Sequence, residues 1–185
     1  MPTNRVAALD LASAGETARR VVRRIEPADV ALGIGPLVLG TIVGLATNAS
    51  GQLWYRRLSK PSWTPPDAVF GPVWTLLYLL MGAAAVLVSR ERRRDGSAPS
   101  APDIALGLFG GQLALNLLWS ILFFGRRQLR AAFVEIVLLV AALVATIVAF
   151  ARIRLAAALL LLPYLAWTSF ATALTAAIVR RNPRD

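Results

Sequence analysis

Apolar residues fill five long stretches of this chain, and polar residues gather between them. The stretches run from about Val30 to Leu53, Ala68 to Ser89, Ile104 to Phe124, Ala131 to Phe150 and Leu155 to Val179. Each approaches the ~20 residues that a helix needs to cross a hydrocarbon core. Backbone groups in lipid must be paired within their own segment, so the pattern predicts an all-α bundle of five transmembrane helices. Arg90 to Asp103 carries Gly96, Pro99 and Pro102 and reads as a flexible loop. Gly125 to Arg130 and Ala151 to Arg154 are short and predict tight hairpins between antiparallel neighbours. Residues 1–29 are of mixed charge and read as a basic extension, disordered or surface-lying, with an amphipathic helix over Leu11 to Ile25 as the alternative. They do not read as a secretory signal, because no apolar run precedes a small-residue cleavage site. The membrane domain is expected over 30–182, with 183–185 as a tail.

The connector between the first two stretches is unlike an ordinary membrane turn. From Trp54 to Trp74 it carries three tryptophans (Trp54, Trp63, Trp74) and four prolines (Pro61, Pro65, Pro66, Pro72), with Arg56, Arg57 and Lys60. Proline fixes φ and removes a donor, so this loop can be stiff without being helix or strand, as a lid over a bundle would be.

Polar and aromatic residues inside the spans fall at helical spacing. Phe70, Trp74, Tyr78 and Met81 share one face of the second span, and Gln112, Asn116, Trp119 and Phe123 one face of the third. Tyr164, Trp167, Thr168, Ala171 and Thr175 share a face of the fifth. Amides and hydroxyls are costly against lipid, so these faces should point inward. Together they describe a site for a flat apolar ligand with polar edges. Plain anchoring at the membrane interface competes with that reading for Trp54 and Trp63, and helix-to-helix bonding competes with it for Gln112 and Asn116. Glu135 is the one acid well inside a span. A functional role is the default for such a residue, but Arg126, Arg127 and Arg130 are placed to pair with it, and that structural role is favoured. Gly107 and Gly111 form a small-xxx-small pair that suits a homodimer, and Gly40 and Gly44 repeat the pattern on the first helix.

Composition removes several chemistries. The chain has 185 residues, 57% of them hydrophobic, and a mean hydropathy of +0.61, too apolar for a soluble domain. It contains no cysteine and no histidine, so thiolate chemistry, the usual metal ligands and the usual neutral-pH base are excluded. No metal site and no required cofactor are expected. The net charge of +10 lies in short clusters between apolar runs, as membrane-flanking charge does, and no groove-reading motif accompanies it, so nucleic acid is not an expected partner. The clusters are nearly balanced between the two sides and do not orient the chain.

Four blocks carry a resemblance. They are Trp54-Tyr55 through Lys60-Pro61-Ser62-Trp63-Thr64-Pro65-Pro66, then Phe70-Gly71-Pro72-Val73-Trp74-Thr75-Leu76-Leu77-Tyr78, then Gly111-Gln112-Leu113-Ala114-Leu115-Asn116-Leu117-Leu118-Trp119 with Phe123-Phe124-Gly125, and finally Pro163-Tyr164-Leu165-Ala166-Trp167 with Phe170-Ala171-Thr172. In this order, over about residues 36–182, the chain resembles the TspO/MBR family of tryptophan-rich sensory proteins and translocator proteins. The resemblance implies a five-helix bundle in a lipid bilayer, usually a homodimer, with a pocket closed by the first loop. It implies porphyrin or haem as ligand, and pocket residues at Tyr55, Pro65, Trp74, Tyr78, Asn116, Trp119, Trp167, Ala171 and Leu174. Phe70, Gln112, Phe123, Tyr164 and Thr175 join them by helical face. Thr175 stands where many members carry Asn, and the animal sterol motif near Arg180 is missing, which argues against a dedicated sterol role. The leading expectation is a tetrapyrrole-binding sensor, regulator or carrier. The alternatives are light-dependent porphyrin degradation, with Trp74 and Trp167 as the participating residues, and a transporter of lipid or small apolar molecules.

Overall fold

The computed structural model describes residues 26–95 and 100–183. Five long helices account for nearly all of them: α1 (Pro27–Arg57), α2 (Asp67–Asp95), α3 (Ala101–Ser120), α4 (Leu129–Ile153) and α5 (Leu155–Arg181). All five are long and apolar enough to cross a membrane, and no strand occurs among the described residues. Their outer surfaces carry Ile42, Leu45, Leu76, Ile104, Val134, Leu138 and Leu159 open to the surroundings, as a bundle solvated by lipid requires. The extension before residue 26, with its alternative helix, lies outside the described residues.

Local chemistry sets the helix ends. Asp103 caps α3: its carboxylate accepts from the Ser100 backbone N–H at 3.0 Å and from Ser100 Oγ at 2.7 Å. Asp67 lies in the first turn of α2, where the helix dipole favours an acid. Two connectors are shorter than expected. Helix α2 continues through Arg90 to Asp95, because arginines beyond the apolar stretch are good helix formers. Only Arg154 separates α4 from α5. Its extended backbone breaks the helix, and its guanidinium donates to Glu91 Oε1 at 2.7 Å, tying the hairpin to α2.

The third span does not stay α-helical. Residues Ile121–Gly125 form a π-helical turn, with the Arg126 N–H bonded to the Ile121 carbonyl at 2.7 Å. The wider turn places two adjacent rings, Phe123 and Phe124, 4.8 Å apart and both against Trp119. Arg127 follows in the left-handed region at φ 58°, turning the chain into α4.

Helix α1 reaches its neighbours through small residues. A Cβ at Gly82 would strike the Gly33 carbonyl, and a Cβ at Gly40 would strike the Tyr78 ring. A Cβ at Gly51 would lie 2.8 Å from Phe124 Cβ. Gly33, Gly40, Gly44, Thr47 and Gly51 recur at seven, four, three and four residues, which is one helix face. Gly40 therefore packs within the bundle, and the dimer pattern noted on α1 does not offer it as a free surface.

Candidate functional site

A cavity of about 430 Å³ opens between α1, α2, α3 and α5. Helix α1 supplies Gly40, Gly44, Thr47, Gln52 and Tyr55, and α2 supplies Asp67, Ala68, Phe70, Gly71, Trp74 and Tyr78. Trp119, Ser120 and Phe124 come from the third span and its π turn, and Trp167 and Ala171 from α5. Tyr55, Phe70, Trp119, Trp167 and Ala171 also border a small annex of about 30 Å³, completed by Phe123, Leu174, Thr175 and other α5 residues. The larger volume is that of a small-molecule site, and the wall is aromatic with a few polar groups.

The aromatic rings brace one another. Trp74 stacks on Tyr78 at 5.5 Å and meets Tyr164 edge-on at 6.3 Å. Trp119 stacks on Phe123 at 5.0 Å, and Phe70 meets Trp167 edge-on at 5.8 Å. Such contacts fix ring planes before any ligand arrives. Behind the wall, the Tyr78 hydroxyl donates to Asn116 Oδ1 at 2.8 Å, joining α2 to α3.

The expected site residues therefore separate by depth. Tyr55, Phe70, Trp74, Tyr78, Trp119, Trp167 and Ala171 border the main cavity, and Phe123, Leu174 and Thr175 border the annex. Asn116 is buried one layer out and acts on the wall through Tyr78. Tyr164 is fully buried behind Trp74. Gln112 is fully buried away from both spaces, and neither its amide oxygen nor its nitrogen has a hydrogen-bond partner, so it does not bond α3 to a neighbour. Pro65 borders neither space. Residues 58–66 of the first loop also line neither; the loop packs along α5 instead, with Trp63 edge-on to Phe170 at 5.8 Å. The helix ends that flank the loop reach the cavity, through Tyr55 on one side and Asp67, Ala68 and Phe70 on the other.

The pairing expected for Glu135 does not form. Its carboxylate is buried and neither oxygen has a hydrogen-bond partner, while Arg130 donates to the Pro183 carbonyl at 3.0 Å. Arg130 stands five residues back on the same helix, out of register for the short pairings of a helix face.

Among proteins of known description, the sequence profile of the TspO/MBR family matches residues 32–181. The chain belongs to the TspO/MBR family. It is 44% identical to the human translocator protein, over 78% of this chain and 84% of that protein. It is 43% identical to the tryptophan-rich protein TspO of Chlorobaculum tepidum, over 80% and 90% of the two chains. Against protein CrtK of Rhodobacter capsulatus it is 35% identical over 71% and 80%. The chain is thus an integral, multi-pass TspO/MBR membrane protein.

Sequence reasoning missed part of this wall in a TspO/MBR chain. Gly44 and Thr47 line the cavity because α1 turns its small-residue face inward, and that face is legible as the spacing described above. Phe124 is one position from a predicted residue; only the π turn brings it in. Gln52, Asp67 and Ser120 lie at helix ends, where a periodic face gives no signal.

Proposed function

We propose that the cavity is a receptor site for a flat, largely apolar ligand of the tetrapyrrole class, porphyrin or haem, and that the protein works as a sensor or carrier of that ligand in the membrane. The observation that carries this reading is the set of three indoles, Trp74, Trp119 and Trp167, on the walls of one cavity of about 430 Å³. Stacking on rings and hydrogen bonds at the ligand's edge serve a metal-free porphyrin as well as haem, which suits a chain without histidine or cysteine. The name of one relative, translocator protein, agrees with a carrier.

The test is a titration of the protein in lipid nanodiscs with protoporphyrin IX in the dark, following tryptophan quenching. Saturable binding is expected, weakened about tenfold by Trp74→Phe or Trp167→Phe. A Cβ at Gly44 would meet no atom within 4 Å, so Gly44→Leu fills the cavity from a wall with open space. It should abolish binding while leaving the thermal midpoint near that of the parent. Equal, non-saturating quenching in all four proteins overturns the pocket.

Trp74 and Trp167 both face the same cavity, which also favours a second reading, in which a bound porphyrin is degraded under light with these indoles taking part. Product formation that requires both indoles and exceeds bleaching of free pigment is its signature. The homodimer belongs to the proposal as well. Gly107 and Gly111 lie on an exposed face of α3 with no atom near the position of a Cβ, open to a second copy.

A further inference from the structure

The receptor reading leaves one buried ionisable group without a task. Glu135 lies within the apolar span Leu129–Ile153, about 9 Å along the helix axis from its start. It shares the buried face of α4 with Ala132, Ile136, Leu139 and Leu143, and it is 5% exposed. Neither carboxyl oxygen has a hydrogen-bond partner, and Arg126, Arg127 and Arg130 are all exposed. The Tyr164 phenol on α5 lies in the electrostatic field of both Glu135 and Tyr78. It is fully buried, and its hydroxyl is unpartnered. Its ring meets Trp74 edge-on at 6.3 Å, and Trp74 borders the cavity. Tyr164 therefore links the Glu135 carboxyl to an indole of the cavity wall. Tyr164 and Tyr78 are the titratable groups facing this position. Among the described residues, the other buried polar side chains within α3, α4 and α5 are Gln112, Asn116, Thr146, Thr168 and Thr175, and none of them carries charge.

We propose that Glu135 and Tyr164 form a site for one monovalent cation, a proton or a sodium ion, inside the bundle, and that its occupancy is coupled through Tyr164 and Trp74 to ligand binding in the cavity. The coupling rests on the receptor reading of the cavity; the cation site does not. The physical case has two parts. First, a bare carboxylate at this position has neither a donor nor a counter-charge, in surroundings where an isolated ion is costly. A companion cation removes that cost. A proton needs one carboxyl oxygen, whereas a sodium ion would use the carboxyl oxygens together with the lone pairs of the Tyr164 hydroxyl. Second, the two states differ at the cavity wall. With the cation absent, the carboxylate draws the unpartnered Tyr164 O–H, and the ring that carries it shifts against Trp74. With the cation bound, that pull is gone. A ligand that prefers one state of the wall changes cation affinity by the same factor as the cation changes its own.

The experiment uses the full chain in nanodiscs and has two readouts. The first needs no ligand: the infrared bands of the carboxyl, taken as the difference between the parent and Glu135→Gln. The second is the Kd of protoporphyrin IX dimethyl ester, a probe with no free carboxyl of its own, from about pH 6 to about 9 and with sodium or choline as the salt cation. A proton site predicts an acid carbonyl band that gives way to carboxylate bands as pH rises, and a Kd that shifts about tenfold over the same range in either salt. A sodium site predicts carboxylate bands that move when sodium replaces choline, and a Kd that follows sodium at constant pH. In both cases Glu135→Gln holds one Kd under all conditions. Tyr164→Phe flattens the Kd response in both; it keeps the acid band of a proton site and loses the band movement of a sodium site. Carboxylate bands indifferent to pH and to sodium overturn the site. Band changes with a constant Kd in the parent overturn the coupling, and so does a Kd response that persists in Glu135→Gln. If the parent shows no saturable binding of the ester, the receptor reading fails and the coupling with it, while the infrared bands still decide whether Glu135 holds a cation.

Discussion

Tyr55 packs its ring 6.1 Å from Phe123 and 5.8 Å from Phe124, and its hydroxyl has no hydrogen-bond partner. Burial first, and the Asp67 carboxylate second, push its phenol from 10.0 up to about 12. The sign of the consequence is definite. Below pH 10 the phenol is neutral in both folded and unfolded chains, and the corner keeps its full stability. Between about 10 and 12 the unfolded chain loses the proton and the folded chain keeps it, so stability falls as pH rises through this window. A phenolate absorbance titration should therefore show one tyrosine titrating near 12, and Tyr55→Phe should remove that component and the matching loss of stability. A Tyr55 that titrates near 10 would show that its corner is open to water. At the same scale Tyr78 joins wall to support. Tyr78→Phe leaves Asn116 Oδ1 buried without its donor, at a cost of about 1–3 kcal/mol, read as a lower thermal midpoint.

At the scale of elements, α1 and α2 approach through glycine backbones. The cost of adding atoms there is steric, because the Gly33 carbonyl cannot move aside as a flexible side chain does. Gly82→Ala should destabilise by about 1–3 kcal/mol, the range for overpacking, measured by thermal or denaturant unfolding in detergent. Gly71→Ala is the comparison: it lies on α2 with open space at its Cβ position and should change the midpoint little. The π turn is the other element-level device. It sets Phe124 in the cavity wall beside Trp119 and within van der Waals reach of Gly51, and it explains why a regular helical stripe through the third span names Phe123 alone.

For the whole molecule, the proposed assembly rests on the open face of α3. Gly107 and Gly111 contact nothing within 4 Å at their Cβ positions, and Ile104, Leu108 and Leu118 are exposed on the same helix. Gly107→Leu with Gly111→Leu should convert a dimer to a monomer in light-scattering measurements of the detergent complex, with the thermal midpoint of the monomeric unit kept. A mass that stays dimeric would move the interface elsewhere. Neither Gly107 nor Gly111 lines the cavity among α1, α2, α3 and α5, so under the proposed receptor reading porphyrin affinity should survive the change in assembly.

Much of this protein was legible in its residues alone. Five apolar stretches of membrane length leave the backbone no option but helix, so class and element order follow from hydropathy and the need to satisfy every peptide group. The tryptophan and tyrosine stripes at spacing three and four name most of the cavity wall for the same reason: burial and the helical repeat act on consecutive turns of one element. What one element cannot encode is how closely another approaches it, and there the tertiary structure decided. It turned the small residues of α1 inward to line the cavity, widened the third span into a π turn, and set Gln112 apart from the cavity that its stripe pointed to. It left Glu135 without the arginines beside it in sequence, and it brought Asn182 to Ser59 across 123 positions. Each of these depends on distances between helices, which packing sets and periodicity along one helix does not contain.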